Sequence, residues 1–135
     1  MRQFPILLLS LCLLVVACKK NNSTPAYTIA DLPTQTNVDN GKQLFEKGDG
    51  GAAACAGCHS ITEGDGPVAP SLKGYAERAS QRASDETAQV YTLNSIIAPG
   101  KTIVDGYNNT MPSSYGDKLS KQQIADLIAY LLTLN

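Results

Sequence analysis

The chain has 135 residues, with eleven basic and twelve acidic side chains and a formal net charge of −1. That length suits one small domain rather than two. The mildly acidic balance argues against nucleic acid as a partner, because phosphate binding needs a basic face.

The first segment reads as an export signal. Arg2 supplies a short positive start, and the run Ile6 to Ala17 is apolar apart from Ser10. Such a run falls short of the about 20 helical residues that a bilayer core requires, and it suits a secretory signal over 1–17. Val15-Val16-Ala17-Cys18 resembles the lipobox of bacterial lipoproteins. The resemblance implies cleavage before Cys18 and lipid attachment to that residue; a plain signal peptide is the alternative. Removing 1–17 leaves ten basic residues against twelve acidic ones, near −2.

Residues 18–36 form the expected lipid-anchored N-terminus and tether, polar with two prolines and no sustained period. A flexible coil of that length spans roughly 25 Å on average. Packing of Tyr27 or Leu32 on the domain is the competing expectation. From residue 37 the pattern turns helical and a compact domain over 37–135 begins. Asn37 or Asp39 can cap a helix whose Val38, Gly41, Leu44 and Phe45 share a face and which Gly48 ends.

Next comes Cys55-Ala56-Gly57-Cys58-His59, the spacing of a c-type haem attachment site. Two thiols three residues apart can add to the two vinyl groups of a haem, and the following imidazole can bind the iron from one face. A structural zinc site needs four nitrogen or sulfur ligands, and this run offers three at most. A thioredoxin-like pair follows a buried strand, whereas here a Gly/Ala loop over 48–54 precedes Cys55. Cysteine usage fits export: Cys18 for lipid, Cys55 and Cys58 for haem, and Cys12 in the discarded segment. In bacteria c-type haem is attached outside the cytoplasm.

A Gly/Pro-rich loop follows from Glu63 to Ser71, then a short helical turn around Leu72 to Ala79. A further helix is expected from Ser84 or Asp85, with Val90, Leu93, Ile96 and Ile97 inward, ending at Pro99-Gly100. Residues 101–118 are expected to form one long loop, a feature that in a small domain usually has a functional reason. It carries Met111, which apart from the initiator is the chain's only methionine; His59 is the only histidine. Elimination therefore proposes His59 and Met111 as the axial iron ligands, the pairing of electron-transfer cytochromes, with Lys101 or Lys118 as substitutes for Met111. The last helix has a Ser120–Gln123 capping box and Ile124, Leu127, Ile128, Leu131 and Leu132 at helical spacing. No repeat and no strand is expected.

These residues resemble a class I cytochrome c over about 38–135. The resemblance implies an all-α fold in which the N- and C-terminal helices cross, with the haem as part of the core. Gly41 and Phe45 occupy the family's crossing positions, facing Leu127 and Tyr130 within Asp126-Leu127-Ile128-Ala129-Tyr130-Leu131. Pro70-Ser71-Leu72 is similar to the segment whose proline carbonyl accepts the Nδ1 hydrogen of the ligand histidine; a turn proline is the alternative. Tyr91 to Pro112 resembles more narrowly the cytochrome domain of caa3-type oxidase subunit II and monohaem lipoprotein subunits of quinol-oxidising complexes.

The implied function is electron transfer through one covalently attached haem c, not catalysis. The implied partners are redox proteins (a quinol-oxidising complex, terminal oxidase or reaction centre) and a membrane reached through the anchor, with no small-molecule substrate. A haem enzyme or gas sensor with a displaceable sixth ligand is the alternative. Tyr75, Arg78, Arg82 and Tyr107 are candidates for bonding haem propionates, the arginines otherwise reading as a solvated face. Leu44, Leu72, Ile97 and Ile103 are expected to pack on the porphyrin.

Overall fold

The structure, a computed structural model, describes residues 26–135 except 63, 67 and 83. The expected signal segment and the expected lipid site Cys18 lie outside the described residues. Among the described residues five α-helices follow in order: α1 (Val38–Lys47), α2 (Tyr75–Gln81), α3 (Ala88–Ile97), α4 (Tyr115–Lys118) and α5 (Lys121–Leu131). Among the described residues there is no strand, only an isolated bridge between Asp49 and Ala52. The all-α class expected from the sequence is the one found among these residues, with α1 and α5 packed together.

Local chemistry sets the ends of the two crossing helices. The Asn37 side chain accepts the Asn40 amide at 3.0 Å and starts α1. Ser120 and Gln123 form the reciprocal capping box that starts α5. The helices then cross where Gly41 faces Asp126 and Tyr130. A Cβ on Gly41 would fall 2.1 Å from the Asp126 carbonyl oxygen, so only glycine allows this approach. Its cost to the helix, about 1 kcal/mol, is small beside the contact it permits. Phe45 and Tyr130 stack beside it at 5.6 Å, tilted by 55°.

Asp126, only 2% exposed, lies at the same crossing. Its carboxylate accepts the Asn37 amide at 2.8 Å, the Asn40 side-chain amide at 2.7 Å and Gln122 Nε2 at 2.9 Å. A buried charge is costly unless it is hydrogen-bonded, and these three donors offset that cost.

Three expectations are corrected. Residues 27–32 do not hang free, and the competing expectation of packing through Tyr27 or Leu32 is the one found: Ile29–Asp31 form a 3-10 turn against α3, and Tyr27, Ile29 and Leu32 pack on the core. Partial burial of each such side chain gains on the order of 1 kcal/mol, which offsets part of the entropy cost of ordering the segment. Lys121 covers the Tyr27 ring at 5.3 Å. Second, the long loop is interrupted by α4, which buries Tyr115. Third, α3 starts later than expected, because Thr87 supplies the cap by accepting the Val90 amide at 3.3 Å. Tyr91 and Thr92 are buried, while Val90 is only half-buried.

Candidate functional site

The haem-type motif begins in a short 3-10 turn, Cys55–Gly57. The Cys58 and His59 amides both donate to the Cys55 carbonyl, at 3.1 and 2.9 Å, which folds the two cysteines and the histidine onto one turn. The loop after the motif returns tightly over it. A Cβ on Gly66 would lie 1.8 Å from the Cys58 carbonyl oxygen, so this return also demands glycine.

Cys55, Cys58, His59, Pro70 and Met111 all line one cavity of about 320 Å³. Its remaining wall is mainly apolar and includes Leu72, Ile96, Ile103 and Leu127. Phe45 and Leu127, each 1% exposed, carry the helix crossing into that wall. Of the side chains expected to pack on a porphyrin, Leu72 and Ile103 line the cavity. Leu44 and Ile97 are buried in the helical core away from its lining, because α1 and α3 turn those faces toward neighbouring helices.

The histidine is fixed in one tautomer. His59 Nδ1 lies 2.9 Å from the Pro70 carbonyl oxygen, which can only accept, so the ring hydrogen sits on Nδ1. Nε2 then carries the lone pair available to a metal. Burial pulls the imidazole below its ordinary pKa and the Pro70 bond pushes partly back, so the ring is neutral at physiological pH. Burial likewise raises the Cys55 thiol to about 11. Among the described residues no cluster of three His, Cys, Asp or Glu could hold a metal by itself.

Two thiols on one turn, a tautomer-locked imidazole, a thioether and an apolar wall fit a covalently attached haem. Tyr115 closes the same region by donating its hydroxyl to the Ala53 carbonyl at 3.1 Å, tying α4 to the approach to Cys55.

Of the four candidate propionate contacts, Tyr75, Arg82 and Tyr107 line the cavity and Arg78 does not. Tyr75 donates to Thr92 Oγ1 at 3.0 Å inside the core. Arg78 reaches the Ser71 carbonyl at 2.8 Å and also bonds the Lys73 carbonyl, clamping the segment after Pro70. Sequence reasoning missed Tyr91 and Thr92 in the wall; for Thr92 the usable signal was its place one helical turn before inward-facing Ile96.

Residues 38–135 match the family model described as Cytochrome c. A cytochrome c6-like protein of Nostoc sp. (strain PCC 7120 / SAG 25.82 / UTEX 2576) is 31% identical over 96 residues, covering 71% of this chain and 69% of the relative. A cytochrome c-553-like protein of Synechocystis sp. (strain ATCC 27184 / PCC 6803 / Kazusa) is 31% identical over 127 residues, covering 94% and 97% respectively. The family match includes both crossing helices and every residue that lines the cavity. With that span and this motif, the chain belongs to the cytochrome c family, and it transfers electrons through covalently bound haem c.

Proposed function

We propose that His59 and Met111 are the two axial iron ligands and that Cys55 and Cys58 form the thioether links. The domain relays single electrons between redox proteins at the outer face of a bacterial membrane, to which Cys18 anchors it. The observation that carries this reading is the convergence of both cysteines, His59, Pro70 and Met111 on one apolar cavity, with His59 Nδ1 held by Pro70.

When bound, the haem supplies an iron that changes by one electron between Fe(II) and Fe(III). His59 presents a neutral imidazole in a fixed orientation, and the Pro70 bond strengthens its electron donation. Met111 offers a soft thioether, which favours the reduced state. The surrounding leucines, isoleucines and tyrosines exclude water and so favour the less charged form of the centre. With His59 and Met111 both holding the iron, no position would remain open for oxygen or substrate.

The partners fitting this reading are a quinol-oxidising complex together with a terminal oxidase or reaction centre, with the domain either shuttling or held as a subunit. Among the described residues no helix is long and apolar enough to cross a membrane; in this reading the support for attachment is the lipobox-like Val15-Val16-Ala17-Cys18. Mass spectrometry of the mature N-terminus should find a lipid on Cys18. Oxidised protein should show the thioether-to-iron charge-transfer band, and Met111→Ala should lose it. A band that survives in Met111→Ala rejects Met111 as the ligand.

A further inference from the structure

We propose that Asp65 is a positioning residue for His59, acting through the Pro70–Ser71 peptide group. The proposal rests on the reading of His59 as an iron ligand.

One peptide unit joins the two side chains. Its carbonyl, on Pro70, faces His59 Nδ1 at 2.9 Å. Its amide, on Ser71, donates to Asp65 Oδ1 at 2.9 Å. The order is therefore imidazole N–H, peptide carbonyl, peptide N–H, carboxylate. A negative charge on the N–H end pulls electron density toward the carbonyl oxygen, because successive hydrogen bonds polarise one another. The oxygen becomes a stronger acceptor, and the imidazole becomes a stronger electron donor to the metal. The logic is that of a carboxylate bonded directly to a ligand histidine, here with one peptide inserted.

The peptide is held so that it can transmit this effect. Ser71 Oγ donates to the Thr62 carbonyl at 3.0 Å, and the Leu72 amide to the Ser60 carbonyl at 2.7 Å. Arg78 fixes the next carbonyl, that of Ser71, at 2.8 Å. Hydrogen bonds from the Tyr107 hydroxyl and the Ser71 amide hold the Asp65 carboxyl below its usual range, so the charge persists at neutral pH. A neutral asparagine could satisfy the same turn, but the charged carboxylate polarises the peptide more strongly.

The test is Asp65→Asn in the full haem-loaded protein, which keeps an acceptor for Ser71 and removes the charge. A weaker imidazole donor stabilises Fe(III) less, so the midpoint potential should rise, and it should stay raised at high salt. A through-space charge effect from this exposed site is instead screened away by salt. Exchange of the His59 Nδ1 hydrogen in the reduced protein, followed by NMR, should quicken severalfold. The proposal is overturned if the rise disappears at high salt, or if the exchange rate equals that of the parent. The parent protein separates the two ideas: absence of histidine ligation there removes the underlying reading, whereas a normal parent with an unresponsive Asp65→Asn removes only the relay.

Discussion

The α1–α5 crossing and the segment carrying Met111 border the same cavity and are built in opposite ways. At the crossing, Gly41 lets two helix backbones touch, Phe45 stacks on Tyr130, and buried Asp126 gathers three donors. Across 102–113, among the described residues, the backbone bonds are two local ones, Tyr107 to Val104 at 3.0 Å and Thr110 to Asn108 at 2.9 Å. Ile103 in that segment is 46% exposed, whereas Leu127 at the crossing is 1% exposed. The difference teaches that stability and chemistry are assigned to different places. The crossing holds the fold, and the loop presents a ligand at little structural cost.

Substitutions break or sharpen this contrast. Gly41→Ala should be the most damaging, since a methyl group would enter the Asp126 backbone; we expect a loss upward of about 4 kcal/mol, read by chemical denaturation, beyond the usual range for overpacked sites. Asp126→Ala should cost about 3 kcal/mol, because Asn37 and Asn40 lose a charged acceptor in a buried place. Met111→Ala should cost less, about 2 kcal/mol or under, since the side chain is only half-buried. It should nevertheless abolish the charge-transfer band and let the reduced protein bind CO. Ser120→Ala removes one helix cap and should lower stability by about 1 kcal/mol with an unchanged spectrum. If Met111→Ala unfolded the domain more than Asp126→Ala, the division between scaffold and ligand loop would be wrong.

Much of this was legible in the sequence where local rules and fold agree. Asn37, Gly48 and the Ser120–Gln123 box mark helix ends by chemistry that acts within a few residues. The Cys55–His59 run and the elimination leading to Met111 depend on residue identity alone, and the structure brings those residues to one cavity. What could not be read depends on distant partners. Tyr27 and Leu32, as lone apolar residues in a polar segment, raised docking only as a competing expectation, and Ile29 gave no local signal; α3 and Lys121 supply the surface that decides it. The four-residue α4 is too short for periodicity to detect, and its Tyr115 is anchored by a carbonyl 62 positions away. Arg78 looked like a partner for a propionate because an arginine near a cofactor suggests charge pairing. Its actual use, clamping two backbone carbonyls, follows from where α2 lands. Asp65 was hidden for the same reason, its partner being a backbone amide six residues on.

The most direct measurement is the absorption spectrum of the purified full-length protein in both oxidation states, with haem content checked after acid–acetone extraction. The account predicts haem that resists extraction, a six-coordinate low-spin iron, and a thioether-to-iron band in the oxidised form. Haem that extracts freely, or a five-coordinate high-spin centre, would contradict it.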